Sequence, residues 1–269
     1  MGRLAKLRLL ALAGGVALAL VVAAPAGAIT GGQPDGNGHP NVGLMVVDLP
    51  PFGTSAWCSG TLIAPTYFLT AGHCLAFLQL FGGTVIGVTF DPAFDPASSP
   101  VVAASATTLD PGFGHDQGDF HDLAMITLAR AVATPPALLP SAGLLDQVAA
   151  KGGLRGQAFT AVGYGATGIL FGGGPPQPAF DPVRRVATPA FMALDQTRLF
   201  LLINIQATGS GGPCIGDSGG PEFLDVAGTP ILVSLTSSKG DLACRGFDVN
   251  YRLDTPSARA FLGRFVTLP

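Results

Sequence analysis

The chain has 269 residues, of which 48% are hydrophobic and 12% are charged, and it holds 38 glycines and 23 prolines. This composition excludes an extensively disordered chain, which needs low hydrophobicity and high net charge. A formal net charge of −3 provides no electrostatic footprint for nucleic acid, so we expect no nucleic acid to bind.

Residues 1–28 have the layout of a secretory signal peptide. A positively charged start is followed by an apolar stretch over residues 9–24 and by the small residues Ala26-Gly27-Ala28, as at a cleavage site. The alternative is an uncleaved membrane anchor, but the apolar stretch is shorter than the ~20 residues that a spanning helix needs. We therefore expect a secreted protein with no membrane association after signal cleavage.

The rest of the chain consists of short strand candidates separated by turns rich in glycine and proline. Residues 109–120 and 165–182 are predicted to be loops, and 131–140 a linker. One helix is predicted at the C-terminus, with Thr255 as N-cap, Pro256 at the first helical position and the helix continuing over 257–265. The pattern predicts an all-β barrel architecture. The strand candidates are 42–49, 61–63, 67–70, 85–90, 101–104, 123–128, 159–162, 199–205 and 230–235.

The four cysteines all lie in the exported part of the chain, where disulfides form and persist. They permit three pairings, and the nearest-neighbour pairing, Cys58–Cys74 with Cys214–Cys244, closes two short loops. A zinc site is the competing interpretation. It is disfavoured because the chain has no C-x-x-C pair and because His73 is the only imidazole near a cysteine. We expect no metal and no cofactor.

Three short segments carry the residue types that nucleophilic catalysis needs: LTAGHC at 69–74, DLAM at 122–125 and GDSGGP at 216–221. A serine hydroxyl needs a neighbouring base, and that base needs a third group to fix its tautomer. We therefore expect Ser218 as nucleophile, His73 as general base and Asp122 as the carboxylate that orients it. The surrounding glycines would let the N–H groups of Gly216 and Ser218 form an oxyanion hole.

Two other assignments compete with this triad. The run around Ser218 also fits G-x-S-x-G, the nucleophile elbow of α/β-hydrolases, but there the catalytic histidine follows the serine, and no histidine follows Ser218. Asp122 is favoured over other aspartates because it opens an apolar strand, which would hold a carboxylate rigidly. Its competitors lie in the predicted loop and are Asp110, Asp116 and Asp119.

The three segments resemble the T-A-x-H-C, D-[IL]-A and G-D-S-G-G-P signatures of the chymotrypsin/trypsin family, in the same chain order. The similarity extends to residues 29–32, 58–63, 163–165 and 233–234. It implies two antiparallel six-stranded β-barrels with a C-terminal helix. Residues 29–135 would form the first barrel, with His73 and Asp122, and 136–269 the linker, the second barrel with Ser218 and the terminal helix.

The resemblance also implies roles for residues outside the triad. The amine of Ile29, freed by maturation, would pair with the buried carboxylate of Asp217. Family members usually keep a propeptide before this position, whereas here Ala28 ends the signal, so we expect signal peptidase itself to create the activating N-terminus. The hydroxyl of Ser234 would support the triad aspartate, and its backbone would help to hold the substrate.

The specificity pocket is predicted from four residues, Gly212, Ser234, Thr236 and Asp248. In trypsin-like members an acid lies six residues before the nucleophile, and Gly212 stands there instead. Thr236 would narrow the entrance. Asp248 would favour basic residues if it points inward; otherwise an apolar preference follows, and this second outcome is our expectation. The family's calcium loop would fall at 75–89, which has no Asp or Glu, so we expect no calcium there.

The sequence thus predicts a secreted, monomeric serine endopeptidase that acts on proteins or peptides and meets protein inhibitors. Two alternatives stay open. One is a protease-like binding protein without catalysis, although no triad residue is missing. The other is a secreted esterase on the same scaffold.

Overall fold

The computed structural model describes residues 29–157 and 159–269. The N-terminal half of the described chain contains seven strands and one helix. They are β1 (Gln33–Pro34), β2 (Val42–Leu49), β3 (Gly53–Ala64), β4 (Tyr67–Thr70), α1 (Gly72–Leu80), β5 (Thr84–Thr89), β6 (Val102–Leu109) and β7 (Ala124–Leu128).

The C-terminal half contains nine strands and three short helices among the described residues. They are α2 (Leu144–Ala150), β8 (Thr160–Gly163), β9 (Ala166–Leu170), β10 (Gln177–Phe180), β11 (Arg185–Ala187), β12 (Ala190–Leu194), β13 (Arg198–Leu202), α3 (Ile205–Thr208), β14 (Pro221–Val226), β15 (Thr229–Lys239), β16 (Phe247–Arg252) and α4 (Pro256–Leu262).

The first barrel is closed by six antiparallel strands in the order β2-β3-β4-β7-β6-β5. Strand β2 is buried over its first six residues, as expected for a strand covered on both faces. Apolar side chains that are fully or almost fully buried fill the barrel, among them Met45, Leu62, Phe68, Met125 and Ile126. This close-packed interior provides a rigid base for the ends of β4 and β7, where His73 and Asp122 stand.

The second sheet has the order β1-β11-β8-β14-β15-β16-β13-β12. Strands β11 and β12, close to opposite ends of that order, are consecutive in the chain and separated only by Thr188 and Pro189. The sheet therefore curls until its ends meet at one segment. If β11 and β12 are counted as one strand, six strands form the second barrel. Strand β1 pairs with the outer edge of β11. The predicted fold of two antiparallel β-barrels with a C-terminal helix is confirmed.

One hydrophobic cluster extends across both barrels and includes residues of the terminal helix. Leu62 and Phe68 belong to the same buried cluster as Leu235 and Tyr251 of the second sheet. Helix α4 begins as predicted, because the hydroxyl of Thr255 accepts a hydrogen bond from the N–H of Ala258 at 3.3 Å. This helix contributes Phe261 and Leu262 to the cluster, so the C-terminal segment is anchored in the core.

Both predicted disulfides are confirmed, as Cys58–Cys74 and Cys214–Cys244. The first joins β3 to α1 beside His73, and the second joins the loop before Ser218 to the loop before β16. Each closes a short loop, of 16 and 30 residues in sequence separation. By chain entropy each stabilises the fold by about 3 kcal/mol.

The segment 165–182 differs from the prediction of an irregular loop. It contains the two-stranded hairpin of β9 and β10, with Gln177 opposite Leu170. The sequence did not indicate this hairpin because its strands are short and flank the glycine run 172–174. The helices α1, α2 and α3 are also absent from the prediction. Helix α1 follows β4 directly and has no side-chain cap at Ala71, so the usual start signal is missing.

Within the described residues, no helix is long and apolar enough to cross a membrane. The predicted signal peptide, residues 1–28, lies outside the described residues.

A buried arginine ties the N-terminal segment and both barrels together. Arg184 is fully buried, and its guanidinium binds the carboxylate of Asp35 at 2.9 Å and the carbonyl oxygens of Gly36, Val42 and Phe90. Replacing Arg184 with methionine would leave Asp35 without its guanidinium and three carbonyls without donors. Asp35 would keep its contacts with the N–H and the ring of His39. Because removing one partner of a buried ion pair is costly, we still expect the free energy of unfolding to fall by about 3–5 kcal/mol in urea titrations.

The matched control is Arg198→Met. Arg198 pairs with Asp195 three residues away, but both side chains are about a third to a half exposed, and such pairs contribute about 0–1 kcal/mol. Similar losses in the two variants would contradict the structural role of Arg184.

Candidate active site

Two hydrogen bonds join the predicted base to the predicted carboxylate. His73 lies at the start of α1, and its Nδ1 is 2.8 Å from Oδ2 of Asp122, which lies just before β7. The backbone N–H of His73 donates to Oδ1 of Asp122, also at 2.8 Å. The carboxylate is almost fully buried, at 1% exposed. With Nδ1 protonated toward Asp122, Nε2 of His73 can accept a proton. Within the described chain its contact is Sγ of Cys74, at 3.8 Å, and no hydrogen bond joins it to the hydroxyl of Ser218.

The competing aspartates are engaged elsewhere. Asp110 is 3.4 Å from Nδ1 of His121, and Asp119 accepts a hydrogen bond from the hydroxyl of Tyr251. Only Asp122 contacts His73 among the described carboxylates.

A serine that the sequence did not single out supports the carboxylate. The hydroxyl of Ser237, near the end of β15, donates to Oδ2 of Asp122. The expectation that Ser234 plays this part is wrong: its hydroxyl is fully buried and has no hydrogen-bond partner in the described chain. A β-bulge between Thr236 and Ser238 sets the register, and sequence alone does not reveal such a bulge.

Ser218 stands in a tight loop between Cys214 and β14. Gly216 and Gly219 have φ of +94° and +77°, a region that residues with a side chain rarely adopt. A Cβ on Gly219 would also lie 2.2 Å from Oγ1 of Thr70, so this loop can approach β4 only with glycine there. Ser218 is partly buried and lines the same cavity as His73.

The peptide before Gly216 is oriented by the second barrel. The carbonyl of Ile215 accepts a hydrogen bond from the N–H of Ala166 at 2.6 Å. In a trans peptide the N–H points opposite to the carbonyl, so the N–H of Gly216 points away from Ala166. Within the described chain, neither this N–H nor that of Ser218 has an acceptor. Both are therefore available to a ligand oxygen.

Asp217 is buried immediately before the nucleophile. Its carboxylate accepts hydrogen bonds from the N–H groups of Cys214 and Gly165, both at 2.8 Å. Burial raises the pKa of Asp217 to about 6, because desolvation outweighs these two hydrogen bonds. It takes part in none of the ion pairs of the described residues.

The segment that starts at Ile29 is docked on the second barrel. Ile29 is fully buried against Ala161 and Ala187, and Thr30 pairs with Gly212. Ile29 has φ of +56°, which is strained for a β-branched residue.

The residues predicted to line a specificity pocket lie in the interior of the second barrel instead. Ser234, Thr236 and Asp248 are each at most 1% exposed. A Cβ on Gly212 would meet Cγ2 of Ile203 at 2.2 Å, so this position is filled by packing. Thr236 does not narrow an entrance, because its hydroxyl lies 3.5 Å from Oδ2 of Asp248 inside the barrel.

Two open cavities flank His73. One, of about 470 Å³, lies toward Asp122, Ser237, Phe120 and Tyr251. The other, of about 540 Å³, is mostly apolar and lies toward Ser218. Its walls include Trp57 and Phe77 of the first barrel and Tyr164, Phe180 and Ile215 of the second.

Among the described residues, Cys58, His73 and Cys74 form the one group of three potential metal ligands of the His, Cys and acidic types. The two sulfurs are joined in a disulfide and have no thiolate to offer a metal. This group does not fit a metal.

The two barrels, with a histidine–aspartate couple and a serine at their junction, define a serine-protease type of scaffold. The trypsin family model matches residues 42–252, and the chain belongs to the trypsin family. Two solved structures are similar in fold. That of HBP has a TM-score of 0.65 at 19% identity and covers 90% of this chain and 98% of its own. HL collagenase has a TM-score of 0.63 at 16% identity, with 88% and 97% covered.

A curated relative comes from Phytophthora infestans. Glucanase inhibitor protein 4 is 27% identical over 171 residues, which are 62% of this chain and 61% of the relative. The matched region thus spans less than two thirds of the relative's length.

Proposed function

We propose that this protein is a secreted serine endopeptidase that cleaves peptide bonds through an acyl-enzyme on Ser218. The observation that carries the proposal is the pair of 2.8 Å hydrogen bonds between Asp122 and His73, with Ser218 in the wall of the same cavity. Its partners would be protein or peptide substrates and protein inhibitors. It would act as a monomer and without a cofactor.

In the proposed reaction, Oγ of Ser218 attacks the scissile carbonyl carbon while Nε2 of His73 takes the hydroxyl proton. The N–H groups of Gly216 and Ser218 stabilise the resulting oxyanion. Collapse expels the amine, which takes the proton from His73, and leaves an ester on Ser218. Water then attacks this ester, with His73 again as base, and releases the acid. Asp122 stays ionised throughout and stabilises the imidazolium.

The strand edge beside the site indicates the direction of the substrate. Strand β14 pairs with β15 as far as Pro221 opposite Leu235, so residues 237–239 are covered on the β16 side only. An extended substrate could add to this free edge, which places its acyl part near Ser237 and Ser238. The leaving group would then enter the apolar cavity on the other side of Ser218.

This direction predicts a preference for a bulky apolar residue just after the scissile bond. Peptides with Leu or Phe there should be cleaved with kcat/KM about 10–200-fold above those with Asp or Gly, since filling an apolar pocket is worth about 1–3 kcal/mol. A fluorogenic library that varies this position measures the ratio. The variant Phe180→Ala, which removes an exposed wall of the cavity, should reduce the preference several-fold.

Phe52→Ala is the control, because Phe52 is also highly exposed but lies outside the cavity walls. It should leave the preference unchanged. A library without any preference at this position would contradict the proposed substrate direction.

Labelling by a fluorophosphonate tests the endopeptidase itself. The probe should form one adduct, on Ser218, identified by peptide mass spectrometry, and the labelled protein should lose hydrolysis. Heat-denatured protein should stay unlabelled. If folded protein with a free Ile29 amine is not labelled, the proposal is wrong. Turnover of activated esters without cleavage in any peptide library would indicate an esterase.

A catalytically silent binding protein is the second candidate. It is favoured by the relative named glucanase inhibitor protein 4 and by the burial of the predicted pocket residues. A protein that stays unlabelled yet binds another secreted protein tightly in calorimetry would support it.

We also propose that signal cleavage after Ala28 releases the protein and creates the Ile29 amine. Thr30 is already paired with Gly212 of the second barrel, which brings the new terminus to that barrel. N-terminal sequencing of the secreted protein tests this, and a start at any other residue would refute it.

A further inference from the structure

The interior of the second barrel contains a row of polar side chains where apolar ones are expected. Glu222 lies opposite Ser234 on β14 and β15, and Thr236 lies opposite Asn250 on β15 and β16. Asp248 lies two residues before Asn250. Residues two apart in a strand, or directly opposite across a ladder, share a face. All five face inward and are at most 1% exposed.

Most of these side chains have oxygens without a partner. The hydroxyl of Thr236 lies 3.4 Å from Oε1 of Glu222 and 3.5 Å from Oδ2 of Asp248, but its one proton can serve only one of them. Four buried oxygens have no hydrogen-bond partner in the described chain. They are Oε2 of Glu222, Oδ1 of Asp248, Oδ1 of Asn250 and Oγ of Ser234. Leaving such groups unsatisfied is costly.

The two carboxylates also lack a cationic side chain within ion-pair distance. Neither forms an ion pair within the described chain. Lys239 stands opposite Asp248, but burial and the negative charge of Asp217 raise the pKa of that carboxyl more than the charge of Lys239 lowers it. Arg252 lies on the same face of β16, two residues after Asn250, but its guanidinium forms ion pairs with Asp146 and Asp254. Glu222 is the only glutamate in the chain, so the one long acidic side chain is placed inside the barrel.

We propose that this row binds one calcium ion inside the second barrel, held by the oxygens of Glu222, Asp248, Asn250, Thr236 and Ser234. The donors are all oxygens, as calcium requires, and two carboxylates neutralise its charge. Shared protons would satisfy the carboxylates but not Asn250 and Ser234, whereas a cation can take all the free oxygens. The site is distinct from the loop at 75–89, and its occupation would reverse the expectation of no metal.

Bound metal and thermal stability test this without reference to hydrolysis. The secreted protein, stripped with EDTA and desalted after exposure to Ca²⁺, should retain one calcium per chain by elemental mass spectrometry. Calcium at about 100 times its Kd should raise Tm by about 5–10 °C, whereas an equal ionic strength of choline chloride should not.

Glu222→Gln and Asp248→Asn should each abolish both the bound calcium and the Tm shift. Because they remove a buried charge, both should fold in EDTA, and Thr236→Val is a third variant that keeps both carboxylates. Asp225→Asn is the matched control, since Asp225 is on the same strand β14 but exposed, and it should keep the full response. Absence of stoichiometric calcium, an equal shift with Na⁺, or a response kept in Glu222→Gln would overturn the proposal.

Discussion

Replacing Ser218 with alanine should lower kcat for peptide hydrolysis by about 10⁶-fold, close to the loss that follows removal of a nucleophile in proteases of this chemistry. The acyl fragment would be attached to the hydroxyl of Ser218. Among the described residues, the phenol of Tyr164 is the one other hydroxyl in the walls of the cavity that Ser218 shares with His73. Stopped assays with a fluorogenic peptide measure the loss.

Ser141→Ala is the matched control. Ser141 is exposed and lies outside the walls of both cavities beside His73, so its replacement should leave kcat within a few-fold. Circular dichroism and Tm should be unchanged in both variants, because Ser218 makes no side-chain hydrogen bond within the described chain. Residual peptide hydrolysis within 10²-fold of the parent in Ser218→Ala would contradict the acyl-enzyme.

The pairing of His73 with Asp122 and the disulfides could be predicted because each rests on a short motif with a chemical requirement. The order of His73, Asp122 and Ser218 distinguishes them from other serine hydrolases without any knowledge of packing. The nearest-neighbour cysteine pairing depends only on short loops. The C-terminal helix was predicted because its N-cap, Thr255, is a local signal.

The support of Asp122 by Ser237 could not be predicted in this way. Ser234, Ser237 and Ser238 stand within five positions, and their choice depends on strand register. A bulge shifts that register by one residue, which turns a side chain to the other face. The adjacent serines Ser237 and Ser238 were the available signal in the sequence. They do not indicate which hydroxyl binds the carboxylate of Asp122.

The buried polar row in the second barrel illustrates a second limit. Alternation of Ser234 with Thr236 and of Asp248 with Asn250 indicates that they share a face, but not whether that face is inside or outside. Polar residues of a strand usually face solvent. From the sequence, Ser234, Thr236 and Asp248 were expected at a specificity pocket. Here the other face is occupied by Leu235 and Tyr251, which belong to the core shared by both barrels, so the polar face turns inward.

Adding residues before Ile29 should lower kcat/KM by about 10²–10³-fold, the loss expected when an oxyanion donor is displaced. Asp217 is buried next to Ser218, and with a pKa raised to about 6 by burial it is mostly ionised at pH 8 without an ion-pair partner. A free amine at Ile29 would supply the missing charge. Its pKa starts near 7.7–8.0, and pairing raises it, so activity should fall as pH rises through this higher pKa.

Cleavage before Ile29 also removes a strained backbone. The φ of +56° at Ile29 is defined by the peptide bond to the preceding residue, and such a conformation costs about 1–3 kcal/mol. Once that bond is cut, the dihedral no longer exists, and the amine is free to turn toward Asp217. Two forms, one starting at Ile29 and one with two extra alanines, should therefore differ in phosphonate labelling rate as well as in kcat/KM. A form with the same alanines added after Pro269 controls for length, and equal activity of all three would refute the role of the amine.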